Sequence, residues 1–570
     1  MPEVVVDGIN VMVEKGATIL EAAQKARIKI PTLCYEEELS VYGGCRLCVV
    51  EVEGESLLKP ACATEVEENM KINTHSPRVR EVRKNLFELI IASHDISCEL
   101  NCLTCSRAGS CDLREVAENI GITNIRLSPI DKEYDNDESS YSIVREPNKC
   151  ITCARCIRKC EEVQDIGIFT TAGRGPSTTV TTFEDKGLGN VECTNCGQCI
   201  HSCPTGALHE VYHYESVWEV LNDPEKHVIV QTAPAVRVAI SEPFGSRPGL
   251  VSTSQMVAAL KRLGFDKVFD TNFAADLTIM EEGTELIERI NEEGKLPLFT
   301  SCSPVWIKFI EHFYPEYLDN LSSCKSPQQM FGAIANSFYA ERNEIDTENL
   351  VVVSVMPCTA KKFEAVRNEM KGDVDYVLTT RELARMIKAA GIDLLNLNGE
   401  EFDPLLGVSS GAADIFGATG GVMEAALRTA YEIITGDELR ELDFKNVRGL
   451  SGIKEAEVDI DGLSLRVAVS HGLGNACRIM EEIKNGREYH FVEFMACPGG
   501  CIGGGGQPIP TREAIRQKRI DAIYSIDRNK KMRKSHENPY VKKLYKEYLG
   551  KPGSHLAHEL LHTHYIKRGV

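Results

Sequence analysis

Cys150, Cys153, Cys156 and Cys160 are separated by two, two and three residues, and the same spacing returns at Cys193, Cys196, Cys199 and Cys203, followed by Pro204. Three thiolates two residues apart on a short turn can face one iron–sulfur cube corner by corner, while the fourth ligand arrives from elsewhere. The doubled run predicts two [4Fe–4S] clusters that exchange fourth ligands. One takes Cys150, Cys153, Cys156 and Cys203, the other Cys193, Cys196, Cys199 and Cys160. Zinc knuckles and disulfides are the other uses of clustered cysteine, and they seldom repeat this spacing with a following proline.

Two further groups lie upstream. Cys34, Cys45, Cys48 and Cys62 approximate plant-type [2Fe–2S] spacing, with gap widths that depart from it; zinc is the alternative. Gly43 and Gly44 suit a loop whose backbone must approach sulfide. The stretch "HDISCELNCLTCSRAGSC" offers five candidates for four positions of a third [4Fe–4S] cluster: His94, Cys98, Cys102, Cys105 and Cys111. The last three form the core, and the fourth ligand is either His94 or Cys98. A neutral imidazole in place of a thiolate would remove negative charge and raise the cluster potential.

The elements that must hold these groups follow from hydrophobic period. "EVVVDGINVMVEKGATILEAAQKA" reads strand, turn, strand, then an amphipathic helix with Ile19, Ala22, Ala23 and Ala26 on one face, a β-grasp entry. "RVREVRKNLFELIIASH" is an amphipathic helix running to His94, and "DKEYDNDESS" (131–140) reads as a linker or exposed loop. From residue 210 the pattern turns to long α/β segments with buried strands at "HVIVQTA", "KLPLFTS", "NLVVVSVMP" and "EYHFVEFMA". Three of these strands run into a cysteine, at Cys302, Cys358 and Cys497, and ligands bind at strand carboxyl ends of open α/β sheets. Cys497 and Cys501, embedded in Gly499, Gly500 and Gly503 to Gly506, place two thiolates within reach of one cofactor.

Sixteen of the 22 cysteines lie in the first 203 of 570 residues, so the chain reads as several domains, with an electron wire leading into the α/β part. A formal net charge of −20 argues against nucleic acid or an anionic membrane as partner. The N-terminus "MPEVVVDGIN" has no signal-peptide pattern and no run approaches the length of a transmembrane helix. So many thiolates call for a reducing compartment, and the expected location is the cytoplasm.

Thr300 to Trp306, "MPCTAKKFE" (356–364) and "EFMACPGGCIGGGGQP" (493–508) resemble the three signatures of the [FeFe]-hydrogenases in their modular form, and the resemblance extends over the whole chain. It implies an H-cluster: a [4Fe–4S] cube joined through one cysteine sulfur to a diiron centre with CO, cyanide and an amine-bearing dithiolate bridge. By that resemblance Cys358, Cys497 and Cys501 hold the cube, with Cys501 bridging, and Lys361 donates to a cyanide. Pro234, Gln328, Met356 and Met495 line the diatomic ligands. Core filling is the alternative use of the two methionines. Glu282, Glu285 and Arg289, on one helical face, match the family's proton relay together with Ser322 and Cys302; on spacing alone such a face is more often a solvated ion-pair row. The implied activity is reversible reduction of protons to H2, with ferredoxin or flavodoxin as electron partner and maturation proteins supplying the diiron centre. The alternatives are the catalytic subunit of an electron-bifurcating complex, a low-activity H2 sensor, and an iron–sulfur assembly protein.

The expected architecture is multidomain α+β and α/β. Residues 1–78 form a β-grasp [2Fe–2S] domain, 79–125 a small His/Cys cluster domain, 141–209 a bacterial ferredoxin-like domain with two [4Fe–4S] clusters, and 210–570 a large α/β H-cluster domain with a small-subunit-like tail.

One departure stands out. The family's first signature carries two adjacent cysteines, the first relaying protons and the second ligating the cube, whereas here Cys302 is followed by Ser303. Spacing from Cys358 puts Ser303 at the ligand position. Either Ser303 ligates through oxygen or Cys302 shifts onto the iron, and Val305 replaces the more usual glycine. Cys324 and Cys477, without metal-like neighbours, read as small buried hydrophobes.

Overall fold

The computed structural model describes residues 1–570 apart from 95–101, 103, 104, 129, 131, 132, 293, 440, 461 and 570. The chain divides into two compact units, Met1–Val191 with Gln198–His209, and Glu192–Gly197 with Glu210–Val570.

The first unit opens with a five-stranded sheet in the order Ile9–Met12, Glu3–Val6, Lys71–Asn73, Val49–Val52, Lys59–Pro60. Asp7 and Gly8 both take positive φ, which lets a two-residue turn join the first two strands with the twist that a hairpin requires. The following helix, Ile19–Lys25, starts at a reciprocal cap between Thr18 and Glu21. It buries Ile19, Leu20, Ala22 and Ala23 in the core of this sheet, with Ala26 half-buried at its end. Helix Pro77–Ile91 is capped by Ser76 through the Val79 N–H and stops three residues before His94. The acidic stretch is a linker only in part, because Asp137 and Ser140 are buried. Asp137 pairs with Arg145 through the backbone and accepts the Leu188 N–H at 2.8 Å. Buried backbone donors need acceptors, and an acidic side chain that meets one is not a solvated charge.

The second unit holds two four-stranded sheets. In the first, Lys267–Asp270, His227–Thr232, Leu350–Met356 and Tyr376–Thr379 are all parallel. In the second, Leu298–Phe299, Phe491–Met495 and Leu463–His471 are parallel, and Ile453–Ile460 closes the edge antiparallel. Every residue of Leu350–Met356 is buried, as expected for a parallel strand covered on both faces. Helix Thr271–Asn291 serves both cores. Phe273, Ala274 and Leu277 pack with the first sheet's strands, while Ala275, Ile279 and Leu286 pack with the second's. The carboxyl ends of four strands, from the two sheets, converge on one cavity beside this helix.

Candidate active site and iron–sulfur sites

That cavity, of about 90 Å³, is lined by Cys302, Ser303, Cys358, Cys497 and Cys501. Lys361, Pro234, Gln328, Met356 and Met495 share its wall. All ten were singled out from the sequence, and one strand end or the loop beyond it delivers most of them: Thr232 leads to Pro234, Met356 to Cys358, and Met495 to Cys497. Backbone packing explains the glycine run. Gly500 has φ +90° and a Cβ there would lie 2.7 Å from the Thr419 nitrogen, while a Cβ on Gly504 would meet the Pro357 oxygen at 2.2 Å. The loop that carries Cys497 and Cys501 thus lies directly on the one that carries Cys358.

The wall's polar groups form a network. Lys361 Nζ donates to Glu364 Oε2 at 2.8 Å, Ser326 Oγ at 2.8 Å and the Cys302 carbonyl at 3.2 Å. Gln328 Nε2 reaches the same Glu364 oxygen at 3.1 Å, while its Oε1 is buried with no hydrogen-bond partner. Three convergent cysteines, a buried cation and an orphaned amide oxygen fit a cluster bearing anionic and diatomic ligands. Phe416 in the wall, and Glu364 and Ser326 behind it as partners of Lys361, were not foreseen. Glu364 stands three residues after Lys361, a helical spacing that could have found it.

Ser303 and Cys302 differ in what they do. Ser303 caps helix Pro304–Phe313, its hydroxyl accepting the Trp306 N–H at 3.5 Å. Burial, then the Glu282 carboxyl, pushes the Cys302 thiol well above its ordinary range, so it stands as a protonated thiol. Burial, then Glu285, lifts Glu282 to about 8. Ser322 Oγ donates to Glu285 Oε2 at 3.2 Å, and Arg289 donates to Glu285 Oε1 at 2.5 Å. Glu285 and Arg289 keep 15% and 17% of their side chains in solvent, so this face is largely buried and the solvated ion-pair reading does not hold. Cys324 is buried and Cys477 only half-buried.

In the first unit Cys34, Cys45, Cys48 and Cys62 lie close together. Cys48 and Cys62 sulfurs are 3.4 Å apart, and Cys45 holds the Cys34 thiol down to about 5 by hydrogen bonding while its own proton is held more tightly. Cys150, Cys153, Cys156 and Cys203 line one cavity of about 30 Å³, the set that ligand exchange requires. Cys160 and Cys199 belong to the first unit and Cys193 and Cys196 to the second. Cys111 precedes helix Asp112–Ile120 without a side-chain cap bond, its thiol raised by burial and then by Cys105. Cys102 is half-buried, and Cys98 lies outside the described residues. His94 is 3% exposed, with Nδ1 2.8 Å from the Lys149 carbonyl oxygen. A carbonyl only accepts, so Nδ1 carries the hydrogen and the neutral ring's lone pair sits on Nε2, the arrangement of a ligating imidazole.

The sequence matches the C-terminal domain of the iron-only hydrogenase large subunit over residues 226–505 and the iron hydrogenase small subunit over 513–568. Upstream it matches a 2Fe-2S iron-sulfur cluster binding domain (3–77), the NADH-ubiquinone oxidoreductase-G iron-sulfur binding region (83–126) and the ferredoxin-like domain of NADH-quinone oxidoreductase subunit 3 (141–209). The chain belongs to the [FeFe]-hydrogenase family, in the modular form with accessory iron–sulfur domains. It is 50% identical to the NADP-reducing hydrogenase subunit HndD of Solidesulfovibrio fructosivorans, over 100% of this chain and 99% of the relative. It is 42% identical to iron hydrogenase 1 of Clostridium pasteurianum over 100% of both chains. An apo form of [FeFe]-hydrogenase HydA1 from Chlamydomonas reinhardtii superposes with a TM-score of 0.57 at 46% identity, covering 63% of this chain and 100% of that one. No helix among the described residues is long and apolar enough to cross a membrane.

Proposed function

We propose that the chain interconverts protons and H2 at an H-cluster that Cys358, Cys497 and Cys501 would hold, with Cys501 the residue that would serve both its cube and its diiron part and Ser303 the fourth residue offered to the cube. The convergence of those three cysteines and Lys361 on one cavity beside the Glu282 carboxyl carries this reading. When bound, the group would supply the two-electron chemistry that joins protons as H2. The chain's residues do the rest. Lys361 sets a positive charge against anionic ligands. Pro234, Gln328, Met356 and Met495 wall off water. Cys302 and Glu282 hold protons at the cavity, and Ser322, Glu285 and Arg289 pass them towards the surface.

We further propose four modules, 1–78, 79–125, 141–209 and 210–570, carrying one [2Fe–2S] and three [4Fe–4S] clusters as the wire to the site, with His94 the fourth ligand of the second module. The electron partner in this reading is reduced ferredoxin or flavodoxin, in the cytoplasm, after maturation proteins have loaded the diiron centre. The relative named as an NADP-reducing hydrogenase subunit supports a second reading, in which the chain is the catalytic subunit of a larger complex fed by a flavin subunit. Matured chain alone with reduced ferredoxin decides between them. H2 at a rate comparable to that with reduced methyl viologen supports the first. H2 only with methyl viologen, restored by NADPH and a flavin-bearing partner, supports the second. No H2 from either donor removes the activity.

A further inference from the structure

Glu285 has a neighbour that the relay from Cys302 to Arg289 does not use. Ser323 Oγ lies 3.0 Å from Glu285 Oε2 and 2.8 Å from His562 Nδ1, and His562 Nε2 lies 3.0 Å from Glu281 Oε2. His562 comes from the C-terminal tail, and its side chain is 6% exposed. Its ring centroid is 4.1 Å from that of His558, which is exposed on helix His555–Leu561.

Donor counting shows what this row can do. The Glu281 carboxylate accepts, so His562 Nε2 carries a hydrogen. With the ring neutral, Nδ1 accepts the Ser323 hydroxyl hydrogen, and the Ser323 oxygen is then open to a hydrogen from a protonated Glu285. With the ring charged, Nδ1–H donates to Ser323 Oγ and Ser323 donates to a Glu285 carboxylate. The two states hold the same number of protons and interconvert by moving one of them in two hops: the Nδ1–H bond breaks as a new Ser323 O–H forms, and the original Ser323 O–H breaks as Glu285 O–H forms. No electron moves and every donor finds an acceptor in both states.

We propose that His562 is a proton-relay residue, and that Glu285–Ser323–His562 is a second branch of the proton path, leaving the protein near His558 rather than at Arg289. This rests on the hydrogenase reading. The groups facing His562 are Glu281 and Glu285 from helix Thr271–Asn291, Cys324 beside Ser323, His558 from its own helix, and, through a hydrogen bond to Glu281, Tyr545. Glu281 fixes the ring, as it also accepts the Gly553 N–H at 2.9 Å. Cys324, fully buried and pushed well up by burial and then Glu285, stays a thiol beside the row.

The test uses matured full-length protein carrying His562→Asn, which keeps an acceptor for Ser323 but cannot carry the proton, and separately Ser323→Ala. H2 evolution with reduced methyl viologen is followed against pH. With CO and cyanide infrared bands unchanged, each variant should lose about fivefold in turnover, less than the about 10²–10⁴-fold of a sole acid–base group because the Arg289 branch persists. Added imidazole should restore part of the rate in His562→Asn only. In protein lacking the diiron centre, the ¹⁵N signal of His562 Nδ1 should report its hydrogen bond to Ser323, and Glu285→Gln should change that signal through Ser323. Turnover and pH profile unchanged in both variants would overturn the branch. Should a variant fail to load, a His562 Nδ1 signal indifferent to Glu285→Gln overturns it instead. Wild-type protein without infrared bands would remove the hydrogenase reading, a different failure.

Discussion

The hydroxyl of Ser303 accepts the Trp306 backbone N–H at 3.5 Å while facing the cavity that Cys358, Cys497 and Cys501 share. One oxygen thus starts a helix and, in the proposed reading, would stand at the cube's open corner, where the family's first signature carries a second cysteine. Serine is a strong helix cap and a hard ligand; cysteine is the reverse.

Ser303→Cys should therefore hold the cube better and the apo fold worse. Loss of the cap costs about 1 kcal/mol, read as a lower denaturant midpoint. Both tryptophans of the chain, Trp218 and Trp306, lie in the second unit, so their fluorescence reports on it alone. In the reconstituted protein the same change should slow iron loss to a chelator, and Cys302→Ala should suppress turnover with the cube intact. Destruction of the cube in Cys302→Ala would make Cys302 the ligand.

Glu282, lifted to about 8 from an ordinary 4.5, is protonated through neutral pH. A raised carboxyl pKa means that the folded state binds the proton more tightly, so its stabilising contribution is full below about 4.5 and is lost as pH rises through about 8. Turnover limited by this group should fall with a midpoint near the same pH. Glu282→Gln should remove that limb along with most of the rate, by about 10²-fold or more. A limb that persists in Glu282→Gln belongs to another group.

Lys361 and Glu364 form a buried pair at 2.8 Å, 11% and 3% exposed at the side chain. Lys361→Met strands the Glu364 charge, and breaking such a pair costs about 3 kcal/mol. The tryptophan-reported midpoint should drop accordingly, with much of the loss recovered in Lys361→Met with Glu364→Gln, where no bare charge remains. Equal midpoints for the single and double changes would show that the pair contributes only packing.

His94→Ala should lose or convert the third [4Fe–4S] cluster and slow electron delivery, while H2 chemistry with a strong small-molecule reductant persists. The Lys149 carbonyl fixes the tautomer that this requires. Unchanged EPR signals in His94→Ala, with their loss in Cys98→Ala, would move the role to Cys98.

The iron–sulfur runs were legible in the sequence because their geometry is local: three thiolates on one turn need a fixed spacing, and Cys150, Cys153, Cys156 and Cys203 surround one cavity. The strands that carry Pro234, Cys358 and Cys497 were legible for a similar reason, since a continuous buried run of apolar residues marks a covered parallel strand. What escaped is long-range. His562 meets Glu281 across 281 residues, and nothing near either announces the other. Asp137 looked like part of a solvated acidic run because sequence does not reveal which backbone donors a fold will bury. Cys477 matched a buried small residue in composition and is half-exposed in place. The helix face of Glu282, Glu285 and Arg289 was visible as a face, but only packing against Ser322 and Ser323 distinguishes a largely buried row from a solvated ion-pair row.

Every catalytic role above depends on the cavity between the two sheets of the second unit holding a cube with an attached diiron centre. The infrared spectrum of chain produced with its maturation proteins, set beside that of chain produced without them, reads this out. CO and cyanide stretching bands are expected in the matured protein only, accompanied by about 20 iron atoms per chain by ligand count. Matured protein with a full complement of accessory clusters and no such bands would contradict the assignment.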